Sequence, residues 1–176
     1  MISVHGRQFR LYISRAEIDS RVASLGAEIS RDYAGKQPLI VAILNGSFIF
    51  AADLFRTLSI EAGISFIKLA SYQGTSTTGM VVTAFGLDEP LQGRHVIILE
   101  DIIDTGRTIH SFLPELARRD PASVKIVALL TKPDALEHDL RADYIGFEIP
   151  NDFVVGYGLD FDGLGRNLPE LYTLVQ

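Results

Sequence analysis

Twice along the chain a run of apolar residues ends in a small polar turn and resumes as a helical pattern. Pro38-Leu39-Ile40-Val41-Ala42-Ile43-Leu44 leads into Asn45-Gly46-Ser47, after which Phe48 to Leu58 reads as a helix. Val96-Ile97-Ile98-Leu99 leads into Glu100-Asp101-Ile102-Ile103-Asp104-Thr105-Gly106-Arg107-Thr108, and Ile109, Phe112, Leu113 and Leu116 then fall at helical spacing. An unbroken apolar run has no polar face to offer water, so each run predicts a strand buried on both sides. Strand–turn–helix units in tandem predict an α/β fold, with a central, mostly parallel sheet flanked by helices. In such folds binding sites gather at the carboxyl ends of the strands. Both polar turns therefore belong to the same edge, and function is expected there.

The remaining segments fit around these units. Phe9 to Ile13 reads as a short strand. Ser14-Arg15-Ala16-Glu17 is a capping box, followed by Ile18, Val22, Leu25 and Ile29 on one helical face. That helix is expected to end near Tyr33 to Gly35, with Gly35 as C-cap. Ile64 to Ala70 and Met80 to Gly86 read as strands, joined by Ser71 to Gly79. That polar connection is longer than a hairpin needs, which leaves a mobile tip or a lid as its two readings. Pro114 is expected to kink the helix after Thr108 or confine it to short turns. Val124–Leu130, Tyr144–Ile149, Phe153–Tyr157 and part of Leu168–Val175 complete the strands. No linker or further repeat interrupts residues 1–176, which are read as one domain.

Charge and composition exclude several functions. Sixteen basic and 22 acidic residues give a net charge of −6. That balance argues against broad binding to nucleic acid or to an anionic membrane. The chain has no cysteine, so disulfides and thiolate metal sites are impossible. His5, His95, His110 and His138 show no i, i+3 or i, i+4 pairing, which speaks against a histidine-built zinc site. Neither a signal-peptide core nor a bilayer-spanning run is present, so a cytoplasmic location is expected.

The stretch from Glu100 to Thr108 combines two chemistries. Its turn, with Asp104 and Thr105 as candidate N-caps, aims backbone N–H groups at a seat for phosphate. Its neighbouring carboxylates can accept hydrogen bonds from a sugar diol or hold a hard divalent cation. A Walker A loop would require glycine where Asp101 stands. The glycines from Gly156 to Gly165 cannot complete a dinucleotide fingerprint, because Phe161 and Leu168 occupy the positions of its last glycine. The ligand that suits the stretch is a ribose with phosphate at one end and a metal-bound polyphosphate at the other.

Glu100 to Thr108 resembles the phosphoribosyl-pyrophosphate (PRPP) loop of the type I phosphoribosyltransferases. The hypoxanthine/guanine branch of that family is resembled in particular, through Leu44-Asn45-Gly46-Ser47, Ser71-Tyr72, Lys132-Pro133 and the segment Ile145 to Tyr157. The resemblance implies the type I fold with a small hood and a flexible lid loop, and a purine-salvage transferase forming nucleoside monophosphate and pyrophosphate.

Site residues follow from the same resemblance. Asp104, Thr105, Gly106, Arg107 and Thr108 would hold the ribose 5′-phosphate. Glu100 and Asp101 would engage the ribose hydroxyls and the Mg2+ complex of PRPP. Asp104 would also be the base that takes the purine N7 proton. Lys132 would donate to the purine O6, Phe153 would stack on the ring, and the Val154 backbone would read its edge. Asp160, beside the purine and pyrophosphate, would hold a second magnesium, and Arg166 would neutralise pyrophosphate. Asn45 and Gly46 would bind pyrophosphate through backbone amides, often across a cis peptide in this family. Many relatives carry Lys or Arg at the place of Asn45, so only the backbone role carries over. Ser71 and Tyr72 would belong to a lid that excludes water from an oxocarbenium-like state. Expected partners are PRPP and a purine base, with no nucleic acid or membrane, in a homodimer or homotetramer. The rival reading is a PRPP-sensing regulator of the same fold, which needs a basic nucleic-acid surface or an added DNA-binding domain.

Overall fold

The computed structural model describes residues 1–73 and 80–175, with the side chains of 70–73 and 80–85 left out of the description. In chain order the elements are β1 (Ile2–Val4), β2 (Arg7–Ile13), α1 (Arg15–Asp32), β3 (Leu39–Leu44), α2 (Phe48–Thr57), β4 (Gly63–Gln73) and β5 (Met80–Phe85). They continue with β6 (His95–Ile103), α3 (Arg107–Ala117), β7 (Ser123–Thr131), a 3-10 turn at Pro133–Ala135, β8 (Tyr144–Glu148), β9 (Val154–Val155) and β10 (Leu171–Leu174).

Two sheets result. The larger has the order β5-β4-β3-β6-β7-β8, in which β4, β3, β6, β7 and β8 are mutually parallel and β5 runs antiparallel at one edge. The smaller is an antiparallel hood, β1-β2-β10-β9. Apolar residues alternate between two cores along the central strands. Ile40, Ala42, Ile97, Leu99, Val127 and Leu129 pack with Ile18, Leu25 and Leu54 from α1 and α2. Leu39, Val41, Val96, Ile98, Ile126 and Ala128 pack with Ile109, Phe112 and Leu116 of α3. Both faces are dry, which is why these strands carry no polar alternation. Val4, Phe9, Val155 and Tyr172 form the separate core of the hood.

Several local expectations change. Helix α1 has its capping box at Ser14 and Glu17, but its C-cap is Tyr33; Gly35 lies two residues beyond with φ +74°. Pro114 neither breaks α3 nor shortens it to isolated turns. The missing N–H would have bonded the carbonyl of His110, an exposed residue at which water can replace it. The β4–β5 ladder extends to Gln73↔Met80, so the polar connection is shorter than its composition suggests. Residues 74–79 and the side chains of Ser71 and Tyr72, on which the lid reading rests, lie outside the described residues. Strand β9 covers only Val154–Val155, because the chain turns into left-handed backbone at Gly156. Among the described residues, no helix is long and apolar enough to cross a membrane.

The capping box yields a prediction. The Glu17 carboxylate accepts from the Ser14 N–H at 2.9 Å and from the Ser14 hydroxyl at 2.6 Å, which holds the Glu17 carboxyl below its usual range. A lowered carboxyl stabilises the fold above its unfolded pKa, and the contribution fades as pH falls through the folded value. Ser14→Ala should cost about 1 kcal/mol at neutral pH by urea unfolding. The difference from the parent should narrow below about pH 4.

Candidate active site

The pairing of the parallel strands sets the site. Leu39 to Ala42 align with Val96 to Leu99, and Ile103 aligns with Thr131. The carboxyl ends of β3, β6 and β7 therefore lie side by side, carrying Asn45-Gly46, Glu100 to Thr108, and Lys132. The Lys132 N–H donates to the Ile103 carbonyl at 2.9 Å and locks the last two ends together.

Helix α3 opens differently from expectation. Neither Asp104 nor Thr105 is its N-cap; Gly106 is, at φ +77° and without a side-chain cap. A Cβ at Gly106 would meet Leu140 at 3.1 Å and Leu136 at 3.3 Å, so left-handed backbone and close packing both favour glycine. With no carboxylate spent on capping, the first turn of α3 remains an anion seat and Asp104 is free for other work. Thr105 Oγ1 accepts from the Arg107 N–H at 3.4 Å, and its carbonyl accepts from Glu137 N–H at 3.1 Å. The exposed Arg107 guanidinium turns to Glu137 at 2.5 Å instead of into the seat. Glu100, Asp104, Thr105, Gly106 and Thr108 line a cavity of about 250 Å³ with Leu44.

The carboxylate pair is poorly compensated. Glu100 is buried and adjoins Asp101, whose Oδ1 accepts from the Ile102 N–H at 2.9 Å. Burial first, and the Asp101 charge second, push the Glu100 carboxyl well above its ordinary range. Among the described ion pairs neither residue has a cationic partner. Such a pair suits hydroxyl donors or a hard cation. No group of three or more His, Asp or Glu gathers into a metal cage among the described residues. Magnesium needs only one or two protein carboxylates and otherwise keeps phosphate and water oxygens, and Glu100 with Asp101 could supply them. Asp160 stands apart from the pair in its bonding: it accepts from the Gly163 N–H at 2.7 Å and pairs with Arg166 at 2.7 Å.

The turn after β3 contains a cis peptide between Leu44 and Asn45. A Cβ on Gly46 would fall 1.5 Å from Asp101 Oδ2, and a Cβ on Gly158 would fall 2.1 Å from the Gly46 carbonyl. These close approaches bring the ends of β3 and β6 and the Gly158 turn onto one wall.

Lys132 is only 6% exposed, although an isolated strand-end lysine would ordinarily be solvated. Its Nζ donates to Asp104 Oδ2 at 3.0 Å and reaches Asn151 Oδ1 at 3.4 Å. Phe153 shows the opposite departure, since an aromatic in this context would ordinarily be core yet it is 45% exposed. It stands edge-on to Phe161, with ring centroids 5.5 Å apart. Val154 is buried, its backbone paired with Thr173 in the hood. Sequence reasoning missed Asn151, Glu137 and the Gly158 contact; nothing in their spacing links them to partners far away in the chain.

Residues 14–162 match the phosphoribosyl transferase domain. The chain is 41% identical over 166 residues to a hypoxanthine-guanine phosphoribosyltransferase of Streptococcus pneumoniae, covering 94% of this chain and 92% of that one. It is 42% identical over 169 residues to a hypoxanthine phosphoribosyltransferase of Buchnera aphidicola, covering 94% and 96%. A crystal structure of a hypoxanthine-guanine phosphoribosyltransferase from Bacillus anthracis superposes with a TM-score of 0.88 at 36% identity, covering 96% of this chain and all of that one. With these similarities spanning both sheets and the strand ends described above, the chain belongs to the phosphoribosyltransferase family.

Proposed function

We propose that this protein is a purine-salvage enzyme that transfers the phosphoribosyl group of PRPP to N9 of hypoxanthine, and of guanine, releasing pyrophosphate. The observation that carries this reading is the Lys132–Asp104 pair at the edge of the cleft. A cationic donor and a carboxylate acceptor 3.0 Å apart match the adjacent O6 carbonyl and N7–H of a 6-oxopurine. Adenine, with an amino group at that position, would set donor against donor. The half-exposed Phe153 ring offers the stacking face.

In this reading PRPP lies along the three strand ends. The start of α3, from Asp104 to Thr108, receives the 5′-phosphate. Glu100 and Asp101 accept from the ribose hydroxyls and hold magnesium, with Asp160 as a second candidate ligand. The bound cation would offset the charge of the pyrophosphate leaving group. The backbone of Asn45 and Gly46, with Arg166, would receive that group. Binding of the purine exchanges the Lys132–Asp104 pair for contacts to O6 and N7–H. As N9 forms its bond to C1 of the ribose, the bond from C1 to the pyrophosphate oxygen breaks and Asp104 takes the N7 proton. Ser71 and Tyr72, at the head of the polar connection, would help exclude water during the step. A cytoplasmic homodimer or homotetramer remains part of this proposal on the family's pattern.

The regulatory alternative draws no support from the relatives above, which are named for enzymes. The decisive assay supplies PRPP and magnesium with hypoxanthine, guanine, xanthine or adenine and follows nucleotide formation. Turnover with hypoxanthine and guanine is expected; failure with every base would favour the regulator. Asp104→Asn should lower turnover by about 10²–10⁴ while keeping PRPP binding, the usual range for a lost general base. A near-normal rate would remove Asp104 from proton transfer. Lys132→Ala should chiefly raise the KM for hypoxanthine, and a selective loss of PRPP affinity would contradict its assignment.

A further inference from the structure

Two parts of the proposed pyrophosphate site come from different sheets. Asn45-Gly46 ends β3 of the parallel sheet, whereas Asp160 and Arg166 lie on the connection from β9 to β10 in the hood. They meet at one residue, Gly158. Its Cα side lies so close to the Gly46 carbonyl that a Cβ would be 2.1 Å away. Its own carbonyl accepts from Arg166 Nη1 at 2.7 Å, and its N–H donates to the Arg166 carbonyl at 3.0 Å. Wherever Gly158 goes, both halves of the anion site follow.

The placement of Gly158 depends in turn on Tyr157. Gly156, Tyr157 and Gly158 have φ values of +108°, +49° and +103°. Glycine accepts such backbone, but a fully buried tyrosine in the left-handed region needs surroundings that hold it there. The holding contact is distant in sequence. The Tyr157 hydroxyl donates to Asp53 Oδ2 of α2 at 2.7 Å. Asp53, with its side chain 12% exposed, also pairs with Arg15 at 3.1 Å and with Arg56. The Arg15 guanidinium lies 5.4 Å over the Tyr157 ring. Burial and the Asp53 carboxylate raise the phenol above its ordinary range, so it remains a donor through neutral pH. No step of the proposed reaction uses Tyr157 or Asp53.

We infer that the Asp53–Tyr157 hydrogen bond is a positioning clamp that fixes Gly158 and so keeps the Asn45-Gly46 turn in register with Arg166 for the pyrophosphate group. The inference rests on the function proposed above. It separates Tyr157 from an ordinary core residue, because a clamp acts selectively on one substrate and general packing does not. Loss of the hydroxyl leaves the ring in place but frees its far end. The backbone it carries then loses its fixed distance to Gly46.

The test compares Tyr157→Phe and Asp53→Leu with the parent enzyme, reading KM for PRPP, KM for pyrophosphate in the reverse reaction, KM for hypoxanthine, kcat and the melting temperature. Each variant should raise both the PRPP and the pyrophosphate KM about tenfold, a difference of about 1.4 kcal/mol. The hypoxanthine KM and kcat should stay within about twofold, and the double variant should be no worse than either single one. Asp53→Leu, of similar size but with no acceptor for the Tyr157 hydroxyl, carries the test if Tyr157→Phe does not fold. Unchanged KM values with a lowered melting temperature would overturn the clamp, as would equal losses for PRPP and hypoxanthine. Arg166→Gln separates this inference from its foundation. If Arg166→Gln raises the PRPP KM while the clamp variants do not, the clamp alone is refuted. If Arg166→Gln has no effect on PRPP, the pyrophosphate assignment itself falls, and the clamp with it.

Discussion

Parallel pairing of β3, β6 and β7 is the constraint on which the rest of the molecule depends. Neighbouring strands lie about 4.8 Å apart, so the ends of β3 and β7 are separated by roughly 10 Å with β6 between them. That span brings the turn proposed for pyrophosphate, the carboxylate pair proposed for the sugar and the lysine proposed for the purine within the reach of one nucleotide-sized ligand. The two dry cores on either side fix the register. A slip of one residue would exchange their apolar faces and carry Glu100 or Lys132 away from the edge. The chemistry proposed for the site thus inherits its precision from strands that take no part in it.

Electrostatics at this edge are local in origin. A chain of net charge −6 has no broad positive field to draw in a polyanion such as PRPP. In the proposed reading, attraction comes from oriented N–H groups at the start of α3 and in the turn after β3, from Arg166, and from a cation that would be bound with the substrate. The Glu100–Asp101 pair makes the same point from the other side. With burial and like charge raising Glu100, the free protein carries an uncompensated carboxylate pair that a hydroxyl or cation would relieve. Lys132 and Asp104 show the opposite arrangement, each satisfying the other.

Much of this was legible in the residues because it is periodic or local. The apolar runs of β3, β6 and β7, the capping box of α1 and the polar turns report burial and hydrogen bonding within a few residues. The start of α3 misled for a physical reason. Asp104 and Thr105 are better side-chain caps than glycine, but the packing of Leu136 and Leu140 against Gly106, and its left-handed backbone, decide the cap. Taken alone, Lys132 is a strand-end lysine of the kind that ordinarily sits in solvent; its burial rests on a partner, Asp104, 28 residues away. The Asp53–Tyr157 bond joins residues 104 apart and leaves no local trace at all. Pro114 marks the converse limit, a strong local signal that the fold overrides because α3 is anchored by Ile109, Phe112 and Leu116.

The central claim is that Lys132 and Asp104 form a donor–acceptor pair that exchanges its mutual bond for the O6 and N7–H edge of a 6-oxopurine. A crystal structure with PRPP, magnesium and 9-deazahypoxanthine, whose carbon in place of N9 blocks transfer, tests it directly. The account predicts the base stacked on Phe153, Lys132 Nζ moved from Asp104 to O6, and the Asp104 carboxylate facing N7. A base bound elsewhere, with the Lys132–Asp104 pair intact, would contradict it.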